Sequence, residues 1–318
     1  MKLRAPYYFI LLSFVFCHLQ CKDTKVNTLV KGPKALKVNS IDLGNNFKDY
    51  WYKGQAEITS YDLEQARYGE IHKGNAVMVF VTEPFSKSKL VKLDYPERSK
   101  GEALSVLKLN FTRKFNTGVY PYSTMQSIFT PVELKNNPYT LKVTTSSQEW
   151  CGHTFTQLSL RDKHYENLSY SYFESEGDQQ STLNKSLLED EIWNRIRIAP
   201  KELPIGDIQL VPNTLASRLK HFTLNIEPAK AQLREVDDNK NHLRYEIKYQ
   251  NIDRSLSVRF AKSFPHEIIS WEETYTSGWG ANAKKMVTKG KKKKSIMLDY
   301  WSKNQVSDLH YRKELGLE

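Results

Sequence analysis

The chain has 318 residues, 39% of them hydrophobic and 12% aromatic, enough to bury the core of one large β domain or two smaller ones. Its 14 Gly and 12 Pro exclude a low-complexity or collagen-like chain. The formal charge of +11 is concentrated in one run, Lys284, Lys285, Lys289 and Lys291 to Lys294, which excludes a uniformly basic surface.

Residues 1–21 read as an export signal. Lys2 and Arg4 form a basic start, and Tyr7 to Phe16 are apolar except for Ser13. That stretch is about half of the roughly twenty residues a membrane span needs, so no transmembrane helix is expected. Cys17 and Cys21 follow. The polar tail opening with Lys22-Asp23 favours Cys21 as the lipidated residue of a lipoprotein signal; an ordinary cleaved secretory signal is the alternative. With 1–20 removed, no cofactor is implied, and the expected partners are a membrane, held through the N-terminal lipid, and a lipid or glycan ligand. Nucleic acid is not expected for an exported chain. Cys151 is then the one thiol without an intrachain partner, so the fold must be held by its core rather than by disulfides. The expected location is the cell envelope, anchored to the outer membrane on its periplasmic or surface side.

Residues 21–46 read as a polar tether and 47–318 as a β-rich envelope domain. Alternation at Ala56, Ile58 and Ser60 is strand period, Lys73-Gly74-Asn75 reads as a hairpin turn, and Ala76 to Thr82 is a nearly continuous apolar strand. Further strands are expected at 89–94, 105–114, 119–129, 139–146, 153–161 and 165–174. An amphipathic helix is expected at about 181–197, with Leu183, Leu187, Leu188, Ile192 and Ile196 on one face, the acids 189–191 opposite, and Pro200 beyond its end. Strands resume at 208–211, 221–226, 231–235, 243–250, 255–261 and 268–276. The lysine run then precedes a last strand at 295–301. The predicted fold class is mainly β: a large antiparallel curved sheet or half-barrel whose two strand-rich halves are joined by one crossover helix.

Three stretches carry candidate chemistry. Glu149, Cys151 and His153 bring an orienter, a nucleophile and a base within five residues. On a continuous strand they share a face, but i and i+2 Cα atoms lie about 6.6 Å apart, so a Cys–His contact needs a bend at Gly152. The plainer reading is a buried Cys packed beside Trp150. In the first block, Glu57, Glu64 and Glu70 offer carboxylates for hydrolysis of a glycosidic bond, and Arg67, Tyr68, Glu64 and Trp150 are candidate ligand contacts. Lys291, Lys292, Lys293 and Lys294 are candidate contacts to an anionic surface, against the reading of a solvated hairpin loop. His72, His164, His221 and His266 have no metal-ligand spacing, and no metal is expected.

The blocks Tyr50 to Ile71, Lys114 to Met125 and Gln148 to His153 resemble a family of Bacteroidetes outer-membrane lipoproteins of unknown function. Some members carry the name septum formation inhibitor Maf. The residues do not support that label: the chain lacks the Ser-Pro-Arg-Arg element and the α/β pattern of true Maf pyrophosphatases. The strand ladder from Leu243 to Thr276 is also similar to periplasmic half-barrels that hold lipid-like ligands. The leading expectation is a non-catalytic envelope binding module for a lipid, glycan or protein partner. An envelope hydrolase using Glu or Cys-His chemistry and a structural envelope protein are the alternatives.

Overall fold

A computed structural model describes residues 44–99, 101–236 and 239–317. The signal, Cys21 and all but the end of the expected tether lie outside the described residues.

A short helix, α1 (Gly44–Trp51), leads into a meander of eight strands. These are β1 (Ala56–Arg67), β2 (Glu70–Ser86), β3 (Ala103–Thr117), β4 (Tyr120–Pro131), β5 (Lys142–Glu149), β6 (Gly152–Leu160), β7 (His164–Ser171) and β8 (Gln179–Asn184). The two-residue β9 (Leu187–Leu188), a 3-10 turn and helix α2 (Ile192–Ile198) follow. Then come β10 (Gly206–Val211), α3 (Thr214–Lys220), β11 (Glu227–Val236), β12 (Asn239–Tyr249), β13 (Arg254–Ala261), β14 (Ile268–Ser277), β15 (Lys284–Leu298) and α4 (His310–Glu314).

All fifteen strands form one sheet, in the order β8 through β1, then β15 back to β9. Every neighbouring pair is antiparallel except β9–β10. The two strand-rich halves therefore share a single curved sheet, joined in the middle by β1 and β15. Its outermost strands, β8 and β9, are separated only by Lys185 and Ser186. The chain thus ties the sheet's edges together, and the sheet must curl into an incompletely closed barrel.

Inward positions of the central strands are mostly apolar, with buried paired charges such as Glu57 and Arg113 among them, and outward ones carry Asp62, Glu64, Lys73, Lys114, Lys289 and Lys291. This is the reverse of the lipid-facing band of a membrane barrel. No described helix is long and apolar enough to cross a membrane.

The bore is filled, not open. Every residue of α2 is buried. Trp193 sits edge-on to Phe111 (5.4 Å) and Trp271 (5.8 Å), and Trp271 packs on Tyr61 (4.8 Å). Gly290 faces the Trp271 ring so closely that a Cβ there would lie 2.1 Å from it. The acids ahead of α2, expected on a solvated face, are buried and each grips a different part of the wall. Glu189 accepts from Arg254 Nε (2.9 Å) and the Tyr249 hydroxyl (2.8 Å). Asp190 accepts from Gln126 (2.6 Å), Asn213 (2.9 Å) and the Thr214 hydroxyl (2.9 Å). Glu191 pairs with Arg195 (2.9 Å) and accepts from the Thr140 amide (2.9 Å). At the far end of α2, Arg197 grips Glu57 with both terminal nitrogens, one at 2.6 Å. Buried charges of this kind persist only when paired and hydrogen-bonded.

Several expected elements differ. The 181–197 helix is only α2; its first half is β8 and β9. The leucine spacing that suggested an amphipathic helix arises because Leu183, Leu187 and Leu188 all face the core from strands. Lys73-Gly74-Asn75 lies inside β2, and the hairpin turn is Tyr68-Gly69. Gly74 is needed instead for close approach, since a Cβ there would lie 2.1 Å from the Lys114 carbonyl. Residues 89–94 make only an isolated bridge, Phe85 to Lys92, and 221–226 form no strand. The lysine run does not precede the last strand. It is the body of β15, beside β1 in the middle of the sheet. Lysine fits there because most of the run reaches solvent and pairs with acids on neighbouring segments: Lys293 with Asp62 on β1 (3.2 Å) and Lys292 with Glu267, just ahead of β14.

Candidate functional site

The hairpins β1–β2, β3–β4, β5–β6, β7–β8, β12–β13 and β14–β15 all turn at the same end of the barrel, and α3 lies there too. Asn213 caps α3 by accepting from the Ala216 amide (3.0 Å), and His221 ends it in a left-handed conformation, φ 56°.

One side of α3 is clamped by Arg67. Its guanidinium donates to the Leu219 carbonyl and to the hydroxyls of Tyr68 and Tyr122, each 3.4 Å away. It also lies over the Tyr68 ring, 4.4 Å from its centroid. The Tyr68 and Tyr122 hydroxyls are 2.7 Å apart, Tyr120 donates to Tyr68 (3.2 Å), and the Trp150 ring is 6.5 Å from that of Tyr120. Three of the four expected ligand contacts, Arg67, Tyr68 and Trp150, thus meet in one cluster. Glu64 does not join them; it is exposed on the outer face, opposite Lys73 and Lys289. The space beside Arg67 amounts to about 20 Å³, room for nothing larger than a water molecule. Arg67 therefore positions α3 rather than facing a ligand.

The other side of α3 opens into a cleft of about 240 Å³ against the inner face of β6 to β8. Here the barrel wall changes character. Cross-strand rows run Thr156–Ser169–Gln179 and Thr154–Ser171, and Asn167 stands opposite Ser181. All seven of these side chains line the cleft. Thr156 and Ser169 share a hydrogen bond (3.0 Å), and Asn167 Nδ2 donates to Ser181 (3.0 Å). Asn167 is only 8% exposed, and its Oδ1 has no protein partner. The facing bank is Arg218, His221 and Phe222.

Glu176, on the β7–β8 connection, closes the cleft. Its carboxylate accepts from Ser171 Oγ (2.5 Å), meets His221 Nδ1 (2.5 Å) and pairs with Arg218 (3.1 Å). Burial alone would push this carboxyl up; the hydrogen bonds from Ser171 and His221 and the Arg218 charge outweigh it and hold it below the usual range. Glu176 is thus an ionised acceptor, not a proton donor. Ser171 and His221 both bind the carboxylate, so the imidazole does not take the serine proton as a nucleophile–base pair requires.

The residues expected to be catalytic lie at the rim. Glu149 ends β5, Trp150 and Cys151 are the turn, and His153 is exposed on β6. Glu149 accepts from the Cys151 amide (2.7 Å), and a hydrogen bond to the same carboxylate pushes the Cys151 thiol up, away from the thiolate. The hairpin, not a continuous strand, accounts for this spacing. Nor is Cys151 buried beside a Trp anchor: it is exposed, and Trp150 is 70% exposed. Of the first-block carboxylates, Glu57 is inside the bore, paired with Arg197, while Glu64 and Glu70 are outside. Among the described residues, no three His, Cys, Asp or Glu are grouped to hold a metal.

Sequence inspection missed the cleft. Its signal was a strand alternation whose inward phase carries hydroxyl and amide residues where an apolar phase is usual: 154 and 156, 167, 169 and 171, 179 and 181. The partners from α3 and Glu176 come from distant positions and carry no local mark.

No protein-family model matches the chain, and no curated protein matches it. Among solved structures, a beta-barrel-like protein of a domain of unknown function (DUF1849) from Brucella abortus is similar, with a TM-score of 0.44 and 10% identity, covering 76% of this chain and 98% of that chain.

Proposed function

We propose that the chain is a lipid-anchored binding module of the cell envelope whose cleft takes a polyhydroxylated, glycan-like ligand. The observation that carries this reading is the buried Asn167 amide with its free Oδ1, set in a wall of serine and threonine hydroxyls that borders an open cleft. Such a wall exchanges hydrogen bonds with ligand hydroxyls, and leaving it unpaired in the wrong ligand gives selectivity. A lipid ligand in the bore is disfavoured, because α2 and its ion pairs occupy that space. Anchoring through Cys21 and placement at the outer membrane belong to the same proposal and rest on the sequence of the leader.

The test is calorimetric titration of the full chain with a panel of neutral and acidic oligosaccharides. Asn167→Leu and Ser169→Val are each expected to weaken binding about tenfold or more, with the denaturation midpoint held. The proposal fails if no saccharide binds saturably, or if both variants keep the parent affinity.

A further inference from the structure

A second concave site lies on the outside of the barrel, away from the cleft. Here β12 to β15 form a groove of about 450 Å³. Its basic side chains are Arg244, Arg259, Lys289 and Lys291, its one acid among the described residues is Glu272, and Ser257 and Ser270 line it between them.

Register shows how the charges gather. One outward row runs Arg234–Arg244–Arg259–Ser270–Lys291–Asp62 across six strands, so Arg244 stands directly opposite an arginine on each side and the row's acid lies at its far end. Like charges directly opposed destabilise a sheet. The adjacent row, Glu246–Ser257–Glu272–Lys289–Glu64, is compensated, with Lys289 3.9 Å from Glu272. Arg234 leans toward Glu246 (2.9 Å), and Arg259 bonds the ring of His242 (2.9 Å). Arg244 and Lys291 have no ion pair among the described residues. The two serines are the small members of these rows and leave the space, and their hydroxyls bond no protein group among the described residues.

We propose that this groove is a phosphate-binding site, with Arg244 and Arg259 on one bank, Lys291 on the other and the Ser257 and Ser270 hydroxyls completing the donor set. Guanidinium forks, an ammonium and hydroxyl donors around one concavity match the tetrahedral oxygens of a phosphate. The anion supplies a countercharge to Arg244 and Lys291; the row's own acid, Asp62, pairs with Lys293 instead. Glu272 is held off by Lys289. The site is independent of the glycan reading, since it shares no residue with the cleft.

The experiment uses the full chain, unlipidated, with pyrophosphate in solution and, separately, phosphatidylcholine vesicles with and without phosphatidic acid. Saturable binding is expected to weaken about tenfold in Arg244→Gln and in Lys291→Gln, and to fall with added salt. Arg244→Gln also removes the opposed charges, so its denaturation midpoint is expected to stay level or rise, which separates lost binding from lost fold. Arg244-dependent binding of pyrophosphate supports a soluble phosphate ligand, and the same dependence seen only with phosphatidic acid vesicles supports a headgroup. Binding of neither, or binding unchanged in Arg244→Gln, overturns the proposal.

Discussion

The pair Glu57–Arg197 offers a quantitative test of how the bore is held. Glu57 is 1% exposed and Arg197 0%. The guanidinium makes two bonds to the carboxylate and a third to the Pro265 carbonyl (2.8 Å). The carboxylate also accepts from Tyr50 (2.5 Å). Replacing Glu57 with Gln leaves the charge of Arg197 buried and uncompensated, which costs about 3–5 kcal/mol. That is a large share of the roughly 5–15 kcal/mol that holds a domain folded. Replacing both residues with Met removes the stranded charge. It leaves the Tyr50 hydroxyl and the Pro265 carbonyl without partners, about 1 kcal/mol each. The double variant is therefore expected to be about 2 kcal/mol below the parent, and more stable than Glu57→Gln. Urea denaturation followed by tryptophan fluorescence reads both values. Equal loss in the single and double variants would refute the reasoning, because the penalty would then not come from an unpaired charge. The pH dependence has a definite sign. Burial alone would raise the Glu57 carboxyl, but the charge and hydrogen bonds of Arg197 outweigh it and lower it. Its contribution is thus present above the unfolded pKa and is lost as pH falls through the folded one.

Asp190 behaves oppositely: burial and the charge of Glu189 push it up to about 7. The unfolded chain releases this proton first, so its contribution to stability declines as pH rises from the unfolded value toward 7 and is flat above. Asp190→Asn keeps the acceptor at Oδ1 and is expected to raise the urea midpoint at pH 8 and to flatten its change between pH 4 and 7; an unaltered profile would contradict this. Gly290→Ala drives a methyl group into the Trp271 ring and is expected to cost about 1–3 kcal/mol or more, seen as a lowered urea midpoint. Cys151→Ser is expected to leave the denaturation midpoint and saccharide binding unchanged, and the parent thiol to alkylate more slowly at pH 7 than an unhindered cysteine, as iodoacetamide kinetics would show.

Local pattern revealed the meander and both strand-rich halves, because β-branched and aromatic residues at period two mark half-buried strands wherever they pair. It did not reveal the fate of 181–191. Leu183, Leu187 and Leu188 carry helical spacing, and only pairing with β7 and β10 makes them strands. The acids 189–191 look like a solvated face until Arg254, Gln126, Asn213 and Arg195 are placed around them. Lys284 to Lys294 read as a loop because charge density outweighs strand signals locally; the acids that receive the run, Asp62, Glu267 and Glu272, sit far away in sequence. Trp150, Arg67 and Tyr68 were identifiable as unusual residues, and the structure does bring them together. The cleft was not identifiable, since half of it is a wall of ordinary serines and threonines and the other half arrives on α3.

The joint between β1 and β15 has a kinetic consequence. Ala56 pairs with Leu298 across most of the chain, whereas β2 to β8 pair only with their neighbours in sequence. During synthesis, hairpins of the first half can form as they emerge, but one edge of β1 stays open until β15 follows. Contacts of such long span are slow to close and leave an unpaired strand exposed in the meantime. Ser60 is covered in the finished fold by a bond to the Leu315 carbonyl (2.6 Å), so this strand is shielded last. A chain stalled before Lys284 would present β1 as a sticky edge, and refolding from urea is expected to be limited by this closure rather than by hairpin formation.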